Sequence, residues 1–357
     1  MSVDYSIHEL AIPAAPGEAG WDDFEAAMAV HFDNEALTYS TDELRLTAAE
    51  ALLDFLDQDN QPTRLFVARI GDRIVGQARY ELEAGDAPTT VWLHVDVAPD
   101  YRQRGIGAAL SAWVQSIART DAVHKAIVYT PSRDAAGPRI PAPTGFGSLP
   151  AGNVEVRFLL ASGYRLEQVV RGSRLAFPFD AGTRLAETAA VAGDDYRLHY
   201  WTNTTPAKWR DDLATLRTRM SIEEPDAGLD EPDDPWSVER LIADDARIAE
   251  STRDRLIVAV EHVPSGELIG FTALLVPADP ARAVQQSDTL VVPGHRGHRL
   301  GMLLKLANLD YLTRTRPGHP SILTFNAEEN RHMLDVNEAV GFVPIGYEGA
   351  WRRDLPY

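Results

Sequence analysis

The chain has 357 residues, 45% of them apolar and 24% charged, with a formal net charge of −19 and no cysteine. That length is comfortable for two domains, and the missing cysteines exclude disulfides, thiolate metal sites and a cysteine nucleophile. The acidity argues against a general nucleic-acid binder; it would draw cationic partners, or it merely serves solubility, the more ordinary reading.

No run of about 18 apolar residues marks a membrane span. The opening MSVDYSIHEL lacks a basic segment followed by an apolar core, so no secretory signal and a cytoplasmic location are expected.

A strand is expected at Tyr5 to Ile12, ended by Pro13, followed by a helix from Trp21 to Ala36 with Phe24, Met28 and Phe32 inward. A second helical stretch covers Thr47 to Leu56. Arg64 to Arg69 and Ile74 to Tyr80 form a hairpin joined at Gly71-Asp72. Val91 to Val97 is a strand stopped by Pro99; a basic glycine turn then enters a helix with Leu110, Trp113, Val114 and Ile117 on one stripe. After a strand at Ala126 to Tyr129, the Pro/Gly-rich segment Pro131 to Gly152 has the length of a functional or disordered loop. A short helix from Val154 to Ala161 and an alternating stretch from Tyr164 to Phe177 follow.

The order then begins again. Tyr196 to Trp201 echoes the first strand, a helix carries Trp209, Leu213 and Leu216, and Arg255 to Val260 with Glu267 to Thr272 repeats the hairpin. Asp288 to Pro293 and His295 to Met302 repeat the strand, turn and helix. Pro99 matches Pro293, Arg102 matches Arg296 and Gly107 matches Gly301 at one offset. Two copies of one domain are expected, spanning 1–180 and 181–357 and joined within Asp180 to Asp194. The stretch Glu223 to Asp234 reads as a solvated acidic loop.

Each turn is an anion site by construction: a helix start leaves backbone N–H groups unpaired, its dipole favours negative charge, and glycine permits close approach. A dinucleotide fingerprint would need a further glycine where Leu110 stands, and a nucleotide-triphosphate loop would need Gly-Lys-Ser/Thr; neither copy has these. Arg102-Gln103-Arg104-Gly105-Ile106-Gly107 instead resembles the acetyl-CoA loop of the GNAT superfamily, Arg/Gln-x-x-Gly-x-Gly/Ala. The second copy, Arg296-Gly297-His298-Arg299-Leu300-Gly301, departs where Arg299 replaces the first glycine. Asn330 near a helix start and Gly341-Phe342 at its end match the family as well.

The resemblance, in its tandem two-domain form, implies an α/β (α+β) fold: two mixed, mostly antiparallel sheets flanked by helices. It implies acetyl-CoA as co-substrate, bound by Val95, Asp96, Val97, Arg102, Gln103, Arg104, Gly105, Ile106, Gly107 and Ala108 in the first copy. In the second copy the matching positions are Thr289, Leu290, Val291, Arg296, Gly297, His298, Arg299, Gly301, Met302 and Asn330. The family's thiolate-protonating tyrosine is replaced by Leu159 and Asn337.

Direct transfer of an acetyl group to a small-molecule amine is the expected activity, with no membrane or nucleic-acid partner, in a monomer or homodimer. Base candidates are Asp288, or His94 and Asp96 on one strand face; each is equally readable as an inert hydrogen-bonded polar group. Asn326 and Asn330 are amides near the second wedge, and Asn330 is also a natural N-cap. His295 and His298 lack a carboxylate at ligand spacing, so no metal site is expected. The apolar final helix of the first copy and the polar wedge of the second place the chemistry in the second, at Asp288, Asn326 and Asn337. The alternatives are a catalytically silent acyl-CoA binder or scaffold, and a transferase of longer or aminoacyl groups.

Overall fold

The computed structural model describes residues 4–355. Residues 1–3 and 356–357, at the outer ends of the two expected spans and of the segment read for a leader, lie outside it.

The first copy comprises β1 (Ser6–Leu10), α1 (Trp21–Tyr39), α2 (Ala48–Leu56), β2 (Thr63–Ile70), β3 (Arg73–Leu82), β4 (Thr90–Val97), α3 (Ile106–Thr120) and β5 (Lys125–Ser132). It continues through β6 (Arg139–Pro141), β7 (Ser148–Pro150), α4 (Val154–Ala161) and β8 (Arg165–Ala176). After α5 (Gly182–Ala192) come β9 (Tyr196–Thr202), α6 (Arg210–Glu223), α7 (Val238–Ala249), β10 (Arg253–His262), β11 (Glu267–Pro277) and β12 (Val284–Val291). The second copy closes with α8 (Leu300–Thr315), β13 (Ser321–Ala327), α9 (Arg331–Val340) and β14 (Val343–Asp354).

Local chemistry explains the boundaries. Thr47 and Glu50 cap each other at the start of α2, satisfying N–H groups that the first turn leaves open. Gly71, in the left-handed region at φ 58°, turns β2 into β3.

The sheet has 12 strands in the order β1-β2-β3-β4-β5-β14-β8-β13-β12-β11-β10-β9. The last strands are exchanged. β14, from the end of the chain, pairs with β5 of the first copy, and β8, from the first copy, pairs with β13 of the second. β14 and β8 also pair with each other, fusing two mixed sheets into one. A cut between residues 180 and 181 falls between β8 and α5, yet each half would carry off a strand of the other's sheet. The exchanged strand is packed in earnest: Trp351 of β14 is 0% exposed and sits among Val91, Leu149, Leu166 and Val169 of the first copy's core.

The joint within Asp180 to Asp194 is the helix α5, in keeping with the helical preference of its alanines. Two sequence expectations change. Pro131 to Gly152 is ordered by the end of β5 and the β6–β7 hairpin, with Ala142 and Leu149 buried in the core. The acidic stretch after α6 is docked on the first copy rather than solvated. Leu229 is 0% exposed against Ile127 and Ala350. Lys125 donates to the Asp230 carbonyl, and Tyr129 donates to Glu231 Oε1 at 2.6 Å.

Candidate active site

Two splayed strand pairs make the site. β4 and β5 run parallel but pair only from Thr90–Lys125 to Trp92–Ile127; β12 and β13 pair only at Val284–Ile322 and Gln285–Leu323. Beyond those points each pair opens as a wedge. Ala98 N–H bonds Val75 on β3, so backbone alternation turns the groups of Val95 and Val97 into the first opening. The Val97 carbonyl is already taken by Asn34 Nδ2 and Arg102 Nε, leaving the Val95 peptide groups and the Val97 N–H open. In the second copy the Val291 carbonyl is likewise held by Arg296 Nε at 3.0 Å. Opposite Ala273, β12 carries an extra residue, so Ser287 and Asp288 form a bulge that bends the strand; β4 pairs with β3 without one.

The two arginines matched by the repeat brace the turn. Arg102 bonds Asn34 Oδ1 at 2.7 Å, and Arg296 bonds Glu223 Oε2 at 2.5 Å, so each ties the loop to the helix packed over the sheet. Arg104 reaches back to the Asp100 carbonyl over the Tyr101 ring. The anion seat of the first copy is therefore backbone. The first helical bond runs from Ala109 N–H to Gly105, and the preceding N–H groups stand open at the positive end of α3. Gly105 holds φ 85° there. In the second copy Arg299 occupies that position at φ 59°, a conformation that costs a residue with a Cβ about 1 kcal/mol. Arg299→Gly is expected to raise stability in urea by up to about 1 kcal/mol, less the chain entropy glycine adds.

The first wedge is a cavity of about 460 Å³ lined by Val95, Asp96, Val97, Arg102, Gln103, Gly105, Gly107 and Ala108. Arg104 and the buried Ile106 are outside its lining. The second, about 1060 Å³, is lined by Thr289, Leu290, Val291, Arg296, Gly297, Arg299, Gly301, Met302 and Asn330. His298 lies outside that lining and packs against the Tyr196 ring instead.

The polar machinery is denser in the first copy. Asp96 is 8% exposed, and His31 Nδ1 at 2.9 Å, Gln77 Nε2 at 2.7 Å, Asn34 Nδ2 at 3.1 Å and His94 Nε2 at 3.1 Å surround its carboxylate. A carboxylate only accepts, so each imidazole points an N–H at it, leaving His31 Nε2 and His94 Nδ1 for other work. His31, His94 and Asp96 present donor atoms within 4.8 Å of one another, but the N–H donors already occupy the carboxylate.

Burial alone would pull the His94 imidazole down; the Asp96 charge and hydrogen bond outweigh it and raise it above its ordinary value. Burial likewise opposes ionisation of Asp96, yet the charges and hydrogen bonds of both imidazoles hold it well below the carboxylate range. Glu35, one turn after His31, is pushed up to about 7, chiefly by loss of hydration, with His31 opposing and Glu348 and Asp96 adding to the rise. Glu348 arrives on the exchanged β14, accepts from Tyr39 Oη at 2.6 Å, and is raised by burial.

His31 and His94 line the first wedge and also a second cavity of about 320 Å³ between α1, α2 and the sheet. Glu35 faces the wedge only.

The residues expected in the second copy separate. Asn337, 1% exposed, donates to Asn326 Oδ1 at 2.7 Å. Asn330 caps α9 through Met333 N–H while lining the wedge. Asp288 lines neither wedge; it lies in the field of Arg217 and Glu224. Glu224 is pushed up to about 7 by loss of hydration and the Asp288 charge, although solvent still reaches it through the cleft, which tempers the shift.

Sequence reasoning missed His31, Glu35 and Tyr39. Their spacing puts them on one stripe of α1 with Phe24 and Met28, and that polar interruption of a buried face was the available signal.

Residues 26–137 match the acetyltransferase (GNAT) family. Among solved structures, a tandem GNAT protein from the clavulanic acid biosynthesis pathway, determined without acetyl-CoA, is 24% identical with TM-score 0.71, covering 99% of each chain. A GCN5-related N-acetyltransferase from Sphaerobacter thermophilus is 13% identical with TM-score 0.63, covering 99% of this chain and 96% of its own. Among curated proteins, none matches the chain. No described helix is long and apolar enough to cross a membrane.

Proposed function

Residues 26–137 are a GNAT-family acetyltransferase domain in a chain with the tandem fold, and on that footing we propose that the protein moves an acetyl group from acetyl-CoA to a small-molecule amine, with the chemistry in the first copy. One observation carries this. His94, held by Asp96, borders both the wedge and the cavity beside it.

In this reading the wedge holds the thioester: diphosphate on the N–H groups of Gln103 to Ala108, pantetheine along Val95. The amine sits in the neighbouring cavity. His94 Nδ1 takes a proton from the amine as its nitrogen attacks the thioester carbonyl carbon. The C–S bond breaks, and the thiolate takes the proton of Glu35, whose elevated value keeps it partly protonated at neutral pH. Amide and free CoA thiol result. Asp96 orients the imidazole and compensates its charge, as the carboxylate of a hydrolase triad does. Glu35 supplies the acid that Leu159 and Asn337 cannot.

This moves the chemistry from the second copy, where the more polar wedge had suggested it. A second-copy reading is still supported by Glu224, which borders both that copy's wedge and the cavity between the copies. Incubation with acetyl-CoA and a panel of amines, following release of free thiol, tests the activity. Amine-dependent thiol release is expected; tight acetyl-CoA binding without release under any amine would mark a silent binder instead.

A further inference from the structure

The second wedge ends on an amine. Three of the 34 basic residues are lysines: Lys125, Lys208 and Lys305. Lys125 is tied to Asp230, and Lys208 is exposed beside Glu261 and Trp209. Lys305, on α8, is 2% exposed, and apart from the Phe342 ring at 5.9 Å it has no partner among the described residues. Burial alone pulls its ammonium down to about 7. An arginine could not shed its charge in such a place, whereas a lysine can.

The repeat locates this amine. At the offset that matches Gly107 with Gly301, Lys305 takes the place of Ser111. β4 and β5 last pair at Trp92–Ile127. Immediately beyond, Leu93 and Val128 join Ser111, Leu159 and Tyr164 around a pocket of about 60 Å³ at the narrow end of the first wedge. Tyr164 follows the glycine after α4, as Phe342 follows the glycine after α9. Phe342 packs in one cluster with Val284 and Ile322, the pair from which β12 and β13 begin to part. Lys305, over that ring, therefore stands at the narrow end of the second wedge. It lies one helical turn on from Gly301 and Met302, which line the wedge, and on their side of α8.

We propose that Lys305 is a self-acetylation site, modified by acetyl-CoA seated in the second wedge. Its Nζ attacks the thioester carbonyl carbon, and the new C–N bond replaces the C–S bond. The proton shed by nitrogen ends on the departing sulfur, giving Nε-acetyllysine and free CoA thiol. The product is a neutral amide, which burial penalises less than an ammonium. This rests on the acetyl-CoA reading above but needs no transfer to a free amine.

Peptide mass spectrometry of the full chain, incubated with acetyl-CoA and no amine, tests it. Lys305 is expected to gain an acetyl group at least about tenfold faster than the exposed Lys208, because the wedge holds donor and amine together. Acetylation from bulk solution follows exposure and gives the opposite order. Between pH 6 and 8 the rate at Lys305 should rise about tenfold and then level, since the amine discharges at about 7; an ordinary lysine climbs about a hundredfold over the same range. Gly301→Phe should slow the reaction at Lys305 at least about tenfold by displacing the donor, and calorimetry with acetyl-CoA shows whether the second wedge fills.

An unmodified Lys305 beneath a filled second wedge, modification that follows exposure, or a rate untouched by Gly301→Phe overturns the assignment. So does a second wedge that stays empty. Acetylated Lys305 in a protein that releases no thiol to any amine would uphold the site and sink the first-copy reading. Amine-dependent release with Lys305 unmodified would do the reverse.

Discussion

His94→Gln lowers kcat at pH 7 by about 10²–10⁴-fold, the contribution of a positioned general base, and leaves the KM for acetyl-CoA within a few-fold. The base must be unprotonated, so the wild-type rate rises with pH through the elevated value of His94. The acid must be protonated, so the rate falls again as Glu35 ionises at about 7. The profile is a bell whose alkaline limb lies at about 7. Glu35→Gln removes the alkaline limb at a smaller cost in rate, because a thiol of reference pKa about 8.5 leaves tolerably unassisted.

The same variant has an opposite effect on stability. Glu35 is raised in the folded state from an ordinary 4.5 to about 7. Its folded form thus prefers the proton: the penalty is absent below about pH 4.5, grows between the two values, and is complete above about 7. Discounted for partial solvent access, Glu35→Gln gains on the order of 1–2 kcal/mol at pH 8 and nothing at pH 4. Urea titrations at the two pH values check the sign. A gain in stability accompanying a loss of rate is what a group held for chemistry produces.

Trp351→Ala destabilises the protein by about 3–5 kcal/mol, the cost of emptying a fully buried indole site. The informative part is where the damage appears. Trp351 lies six residues from the end of the chain, yet its neighbours are Val91, Leu149 and Leu166. Hydrogen exchange should therefore loosen β4 and β5 of the first copy before β10 and β11 of the second. Trp113→Ala, at a side chain 44% exposed on α3, is the control and stays within about 0.5 kcal/mol of wild type. Loosening confined to the second copy would contradict the exchanged topology.

The repeat was legible because local patterns write it: strand, turn and helix at one offset, with Pro99 and Pro293 closing matched strands. The strand exchange was not, because the alternation of Val343 to Asp354 says which face is buried and is silent about which strand lies alongside. The same limit hid the site. His94 and Asp96, two residues apart on a strand, share a face by period alone. His31 joins them only because α1 crosses β4, and Glu348 only because β14 crosses into the first sheet. The acidic stretch after α6 looked solvated because its composition is polar, but Leu229 and Glu231 dock on a copy more than 90 residues away in sequence, at Ile127 and Tyr129.

The most direct test of the first copy as the working site is amine-dependent thiol release after blocking each anion seat in turn. Gly107 faces Val97 at the mouth of the first wedge, and a Cβ there would stand 3.5 Å from its side chain; a Cβ at Gly301 would meet nothing within 4 Å. Gly107→Phe is expected to reduce turnover by at least about 10²-fold, as lost positioning of the thioester would, while Gly301→Phe retains at least half the wild-type rate by the same reasoning. Loss of turnover in Gly301→Phe with full activity in Gly107→Phe would contradict the assignment and return the chemistry to the second copy.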